Sequence, residues 1–181
     1  MQKRRRKVDK VIIHYHGGGF IAMDTASAQG STRFWANQLG VPIFSVDYRL
    51  APKYPFPDPI NDCYQAYVWL ITQAKEQLGM DIDKVILTGD SAGGHLCLSV
   101  TLLCLLRGFR VPDGIVLLYP SLTMDIDRFY PSSLMMSDDE ILSTSFVAFC
   151  SACVIRKGGN PKANPLISPV VAPDCLLRLL P

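Results

Sequence analysis

The chain has 181 residues, of which 49% are hydrophobic and 19% are charged, and its formal net charge is +2. This composition is typical of one globular domain with a sizeable core, and it argues against a disordered chain. A net charge this close to zero gives no reason to expect a nucleic-acid partner.

The first ten residues, 1–10, form a basic lead-in that contains the run Lys3-Arg4-Arg5-Arg6-Lys7. We interpret this run as a solvated approach to the first strand; the alternative is a membrane-surface or targeting patch. No apolar signal segment follows it, and the longest apolar stretch, Leu96–Leu106, is too short to span a membrane. Six irregularly spaced cysteines are typical of core cysteines in a reducing compartment, so we expect a cytoplasmic location.

The hydrophobic pattern predicts strands and helices in alternation. The predicted strands are Val11–His14, Val41–Val46, Lys84–Thr88 and Gly114–Leu118, and the predicted helices are Ser27–Leu39, Asn61–Leu78, Ala92–Leu106 and Ser137–Val154. The prolines of Tyr48–Pro59 predict an extended loop, and Gly158–Pro181 should hold little regular structure. Alternation with continuous apolar strands is typical of a parallel sheet covered by helices, which predicts an α/β fold.

Three details of these elements can be checked in a structure. The first helix should place Phe34, Trp35 and Leu39 on one apolar side. The last helix should begin at Ser137, because Glu140 three residues later completes a capping box. The run Ile115–Leu118 contains no charge or proline, which predicts a strand covered on both faces.

Residues 89–94 read GDSAGG, directly after a predicted strand and before a predicted helix. In that context G-x-S-x-G indicates a nucleophile elbow, with Ser91 on a sharp turn. Gly89 and Gly93 should be required, because a Cβ at either position would collide across the corner. The helix that starts at Ala92 would direct its positive end at the charge that develops in acyl transfer. The alternative is an ordinary glycine-rich turn.

Residues 14–19 read HYHGGG, after the first predicted strand. An HGGG-type loop supplies oxyanion-hole donors, because backbone N–H groups reach a tetrahedral oxyanion only where no side chains intervene. We assign the oxyanion hole to the N–H groups of Gly18, Gly19 and Ala92. A phosphate-binding loop is the alternative, but neither GxxxxGK[ST] nor GxGxxG is present. The residues that support the two motifs are His16, Gly17, Gly89, Asp90, Gly93 and Gly94.

The chain resembles the hormone-sensitive lipase family of α/β-hydrolases. Four blocks in the same order carry this resemblance: HYHGGGF at 14–20, DYRLAPKYPFP at 47–57, GDSAGGHLC at 89–97 and RVPDGIVLLYP at 110–120. The last block and NPLISPVVAP at 164–173 look closer to eukaryotic members than to bacterial esterases. The resemblance covers the chain from about Val11 to its end.

The resemblance implies the fold and the chemistry. It implies a lipase or esterase of lipid metabolism that hydrolyses carboxylic esters through an acyl-enzyme on Ser91, without a metal or a cofactor. It also implies an α/β-hydrolase domain over residues 1–181 that is incomplete on its C-terminal side. Residues 121–160 would correspond to a lid- or cap-associated insertion.

The sequence departs from the family in its triad. The family takes its acid from a DPxxD-like segment and its histidine from a later strand, and neither pattern occurs before residue 181. The only histidines are His14, His16 and His95. We expect His14 to pack under the HGGG loop, His16 to brace that loop, and His95 to project from the flank of its helix rather than act as the base. The triad acid and base are therefore expected beyond residue 181, and this chain alone should be weak or inactive.

The competing hypothesis is a catalytically inactive module that binds a hydrophobic ligand on the same fold. The presence of both Ser91 and the complete HGGG loop favours the enzyme, because a binding module has no evident use for an oxyanion hole. The expected partner is an acyl ester substrate. The sequence leaves open a peripheral contact with a lipid surface and the oligomeric state.

Overall fold

The computed structural model of the protein describes residues 8–127, 139, 141–155 and 159–181. The strands are β1 (Lys10–Tyr15), β2 (Ile43–Val46), β3 (Lys84–Asp90) and β4 (Gly114–Leu118). The helices are α1 (Gln29–Leu39), α2 (Asp58–Leu78), α3 (Ala92–Arg107), α4 (Thr144–Val154) and α5 (Asp174–Leu177), with a 3₁₀ turn at Pro169–Val171. Up to β4, strands and helices alternate as the sequence predicts.

The four strands form one parallel sheet in the order β2-β1-β3-β4. In the register of β1 with β3, Tyr15 pairs with Gly89, and β3 in turn pairs Asp90 with Leu118 of β4. This arrangement confirms the predicted α/β fold with a parallel sheet flanked by helices. Because the strands are parallel, their carboxyl ends lie at one edge of the sheet, where ligand sites of open α/β sheets form.

The core lies between the sheet and helices α2 and α3. Alternate residues of the two central strands are at most 1% exposed, namely Val11, Ile13, Tyr15, Val85 and Leu87. Every residue of α3 from Ala92 to Cys104 is buried, which agrees with the apolar stretch in the sequence.

The opposite face of the sheet is less covered. Ile86 of β3 is 36% exposed and Val116 of β4 is 50% exposed. Helix α1 packs on this side, where it contacts the edge strand β2 and where its Trp35 lies edge-on to His14 of β1. In the described part of the chain, β4 is therefore not covered on both faces as its sequence predicted.

Helix α1 differs from its prediction in its start and in its buried side. It begins at Gln29, because Ser27 is held in a preceding turn by its N–H and hydroxyl, which both donate to the Asp24 carboxylate. Phe34 is 60% exposed and Leu39 is 59% exposed, so the predicted apolar side is not a core face. Within α1 the buried residue is Thr32, so the helix buries only a narrow stripe against the edge of the sheet.

Helix α2 begins at Asp58, three residues before the predicted start. Pro59 occupies its first turn, where the missing N–H costs no helical hydrogen bond. The proline-rich segment before it is not uniformly extended, because a turn occupies residues 51–53 and Ala51 is 3% exposed.

Helix α4 begins at Thr144, with Ser143 as its N-cap, and the Phe146 N–H donates to the Ser143 hydroxyl over 3.3 Å. Residues 141–143 are not helical, because the Asp139 carboxylate accepts the N–H groups of Ile141 and Leu142 in a local turn. The predicted start was therefore too early. The predicted capping box of Ser137 and Glu140 lies outside the described residues.

The last segment is mostly irregular, as predicted, apart from the 3₁₀ turn and α5. No helix in the described ranges combines the length and the apolar character that a membrane crossing requires.

Candidate active site

Ser91 stands at the turn between β3 and α3. Its backbone has φ +51° and ψ −114°, a strained conformation for a residue with a side chain. Hydrogen bonds fix its main chain on both sides: its N–H donates to Leu118 O over 2.9 Å, and its carbonyl accepts from His95 N and Ser121 N. The turn is therefore held by β4 and by the segment that follows β4.

Two glycines allow this corner to close. A Cβ at Gly93 would collide with the main-chain oxygen of Tyr15, and a Cβ at Gly89 would lie 2.5 Å from the carbonyl carbon of Gly93. At Gly94 a Cβ would lie 3.0 Å from the Pro120 side chain. The collisions at Gly89 and Gly93 are those that the sequence predicted for the strand–helix corner, and the absence of side chains there lets α3 lie directly against the end of β1.

The HGGG loop begins where β1 ends. Gly18 has φ +103°, and the N–H groups of Ile21 and Ala22 donate to its carbonyl over 3.1 and 3.0 Å. A Cβ at Gly18 would collide with the Ala22 carbonyl. Within the described residues, the main-chain N–H groups of Gly18 and Gly19 donate no hydrogen bond, so both remain available to a ligand.

The structure brings the two motifs together at the carboxyl edge of the sheet. The Asp90 carboxylate lies against Gly17, so closely that a Cβ there would collide with it. Ala92, the first residue of α3, is 1% exposed, and an N–H at this position has no partner within its own helix. Ser91 and the three assigned donors thus belong to adjoining turns.

His16 braces the loop, as the sequence predicted. Its ring is 1% exposed and stacks on Tyr48 with centroids 4.2 Å apart. Nδ1 lies 2.8 Å from Gly17 O, while Nε2 has no hydrogen-bond partner and lies 4.0 Å from the Asp47 carboxylate. The Tyr48 hydroxyl donates to His16 O over 2.7 Å, and burial raises the pKa of Tyr48, so this hydroxyl stays protonated.

His14 packs beneath the same loop. It is 3% exposed, with Nδ1 2.9 Å from the Ser45 hydroxyl and Nε2 3.9 Å from the Asp90 carboxylate. Burial lowers the pKa of His14, and the nearby Asp90 charge partly opposes this shift. His14 therefore connects strands of the sheet and is neutral near pH 7.

His95 is also enclosed. It is 2% exposed, Nδ1 lies 2.6 Å from Ser121 O, and Nε2 lies 3.1 Å from Leu166 O. Burial lowers the pKa of His95, and the two carbonyls partly oppose this shift. Both ring nitrogens face main-chain oxygens, so His95 is not free to take a proton from Ser91.

Sequence reasoning missed a contact between α4 and the HGGG loop. A Cβ at Gly19 would lie 2.8 Å from Cys150 Sγ, so the thiol packs on the loop beside the assigned donors. Burial raises the pKa of Cys150, which keeps the thiol protonated and apolar in character. The spacing of the cysteines gave no sign of this contact, because it joins two residues that are 131 positions apart in the chain.

Neither of two cavities in the described structure is suited to an acyl chain at Ser91. A narrow apolar pocket of about 10 Å³ lies between Phe20, Met124 and Leu166, and it is too small for an acyl chain. A larger cleft of about 350 Å³ lies between β2 and α2, lined by Phe44 and Trp69, and contains no residue of either motif.

Comparison with known proteins places this geometry in a family. The alpha/beta hydrolase fold family matches residues 12–181. Hormone-sensitive lipase of Mus musculus is 42% identical over 140 residues, which are 77% of this chain and 18% of the lipase. An arylesterase of Saccharolobus solfataricus is 39% identical over 99 residues, which are 55% of this chain and 32% of that protein.

Solved structures agree with these relatives. Carboxyl esterase 2 of the fungus Tuber melanosporum superposes with a TM-score of 0.87 at 31% identity, covering 97% of this chain and 56% of the esterase. A hyperthermophilic esterase of Pyrobaculum calidifontis has a TM-score of 0.85 at 30% identity, covering 94% of this chain and 55% of that chain. The chain thus spans about half the length of these esterases and less than a fifth of the mouse lipase. It belongs to the hormone-sensitive lipase family of α/β-hydrolases.

Proposed function

We propose that the protein is a serine hydrolase of carboxylic esters, in which Ser91 is the nucleophile. One observation carries this proposal: the strained turn at Ser91 and the glycine loop at residues 16–19 adjoin at the carboxyl edge of one parallel sheet. The relatives named above are lipases and esterases, which supports the same chemistry.

In the proposed mechanism Ser91 Oγ gives its proton to the histidine base and attacks the ester carbonyl. The tetrahedral intermediate then breaks its bond to the alkoxy oxygen, and the alcohol leaves with that proton. Water hydrolyses the acyl-enzyme by the same route, which releases the acid and restores Ser91. The N–H groups of Gly18, Gly19 and Ala92 stabilise the oxyanion of each tetrahedral intermediate. Each such donor contributes roughly 10²–10³ in rate. The positive end of α3 adds to this stabilisation, because the helix begins directly after the nucleophile.

The triad needs a histidine base and an acid that orients it. We propose that both come from sequence beyond residue 181. The support is that His14 and His95 are engaged with other groups, that His16 is bound within the loop, and that the related esterases are almost twice as long as this chain. Residues 1–181 alone should therefore turn over esters weakly or not at all.

The lipases and esterases among the relatives support a substrate class. We propose an ester with an apolar acyl chain, in lipid metabolism, with residues 121–160 as part of the lid or cap over Ser91. Exposed apolar side chains of α4, such as Phe146 and Phe149, are available to such a substrate or to the lipid surface that carries it.

The test uses the full gene product with a short-chain nitrophenyl ester. Wild-type protein should release a burst of nitrophenol equivalent to one site per chain, and Ser91→Ala should abolish both the burst and the turnover. Ser99→Ala is the matched control, because this buried serine lies two turns further along the same helix and should retain the burst. A burst that persists in Ser91→Ala would refute the proposal, and stoichiometric binding of an ester without turnover in wild-type protein would favour the binding module.

A further inference from the structure

His95 is a buried polar residue that contacts three separate segments of the chain close to Ser91. It lies in the first turn of α3, one helical turn after Ser91, and is 2% exposed. Its ring packs edge-on to Phe20 of the HGGG loop, with centroids 5.2 Å apart. Its two nitrogens reach Ser121, which follows β4, and Leu166, which lies 71 residues away in the C-terminal segment.

A neutral imidazole has one N–H donor and cannot donate to both carbonyls. The Nδ1 contact with Ser121 O is the shorter, at 2.6 Å against 3.1 Å for Nε2 and Leu166 O. Leu166 O also accepts from the Ser99 hydroxyl over 3.1 Å, so it is satisfied without His95. The geometry therefore places the proton on Nδ1, donated to Ser121.

Ser121 is the link to the nucleophile. Its own N–H donates to Ser91 O over 3.3 Å, and the preceding Pro120 packs on Gly94 in the elbow. The ring of His95 is thus hydrogen-bonded to Ser121, and Ser121 is hydrogen-bonded to the main chain of Ser91. Because the Ser91 backbone is strained, such contacts are what keep the turn in place.

We propose that His95 is a positioning residue for Ser91, acting through the bond from its Nδ1–H to Ser121 O. This inference rests on the proposed role of Ser91 and adds a residue to it. It does not make His95 an acid, a base or a substrate contact. It predicts that the Ser121 side of the imidazole matters for the rate of acylation and that the Leu166 side does not.

Two substitutions of His95 test the hydrogen bonds of Nδ1 and of Nε2 separately. The amide nitrogen of asparagine can occupy the place of Nδ1, and that of glutamine the place of Nε2. We expect His95→Asn to keep kcat within about threefold of wild type. We expect His95→Gln to lower kcat roughly 10- to 100-fold with little change in KM, because a small displacement of a reacting group has an effect of this order.

The measurement is single-turnover acylation of the full gene product by a nitrophenyl ester, with Ser91→Ala and Ser99→Ala alongside. Ser99→Ala removes the hydroxyl that donates to Leu166 O, on the side of the ring away from Ser121, and should leave acylation unchanged. If Ser91→Ala retains turnover, the proposed function fails. If Ser91→Ala is inactive but His95→Gln acylates as fast as His95→Asn, only the positioning role fails.

Hydrogen exchange gives a readout that does not depend on activity. The Ser121 amide should exchange at least tenfold faster in His95→Gln than in His95→Asn, since the carbonyl of the same residue has lost its anchor. Equal protection of this amide in the two variants would overturn the inference, whatever their rates of acylation.

Discussion

Gly30 and Gly93 occupy the same position in two helices, the second residue of α1 and of α3, yet the structure predicts opposite results for their replacement by alanine. At Gly30 a Cβ would meet no atom within 4 Å. Gly30→Ala should therefore gain only helix propensity, which stabilises the protein by about 0.5–1 kcal/mol.

At Gly93 the same methyl group would collide with Tyr15 O and would lie 2.8 Å from His16 O. Both oxygens belong to the main chain where β1 ends, so relief requires α3 to move away from the sheet. Overpacking costs about 1–3 kcal/mol, and more where a backbone must shift. The gain in helix propensity is the same in both variants and cancels in their difference, so that difference is the overpacking cost. Because two main-chain oxygens stand in the way of the methyl group, we expect the upper end of that cost, which places Gly93→Ala about 3 kcal/mol or more below Gly30→Ala in free energy of unfolding.

Urea unfolding followed by circular dichroism measures both variants against wild type, and unchanged m values would show that the denatured states are comparable. A difference of 3 kcal/mol is a large part of the stability of a small domain. If the two variants agree within about 0.5 kcal/mol, α3 does not approach β1 as closely as described. The joint placement of Ser91 and the HGGG loop would then be wrong as well.

Two further outcomes can be measured in the same way. Burial lowers the pKa values of His14 and His95 in the folded protein, so the unfolded chain binds more protons below about pH 6.5. The stability that these two histidines contribute is complete above that pH and is lost as the pH falls through their pKa values in the folded protein. A free energy of unfolding that stays constant from pH 8 to pH 5 would contradict this. Tyr48→Phe keeps the ring stacked on His16 but removes its hydrogen bond to His16 O, and should cost about 1 kcal/mol. Tyr54→Phe should cost almost nothing, because the hydroxyl of half-buried Tyr54 makes no hydrogen bond among the described residues and its ring stays beside Arg49; equal effects would refute the brace.

Signals that depend on neighbouring residues predicted much of the fold. Gly40, Gly79 and Gly108 each follow a predicted helix, and each takes a left-handed conformation that ends it. The setting of Ser91 between a strand and a helix also follows from the sequence alone. These features are local because a cap or a tight turn is determined by the few residues that form it.

Features that depend on distant segments were missed. The buried side of α1 is set by the strand it packs on, so Thr32 is buried while the more apolar Phe34 is exposed. The start of α4 was predicted at Ser137, whereas Ser143 caps the helix after a local turn at Asp139 that the pattern did not indicate. The contact of Cys150 with Gly19 requires the path of the whole intervening chain, which periodicity cannot supply.

The register of β1 with β3 explains why two motifs more than seventy residues apart in sequence meet. Tyr15 pairs with Gly89, so the HGGG loop and the Ser91 turn begin at neighbouring positions on the same edge of the sheet. In a parallel pair, a slip of one residue would move every side chain of β1 to the other face and would expose the buried Val11 and Ile13. The apolar core therefore fixes the register, and the register fixes the distance between the nucleophile and the oxyanion donors. A polar substitution at Ile13, which lies in the strand and belongs to neither motif, should for this reason weaken the site and the fold together.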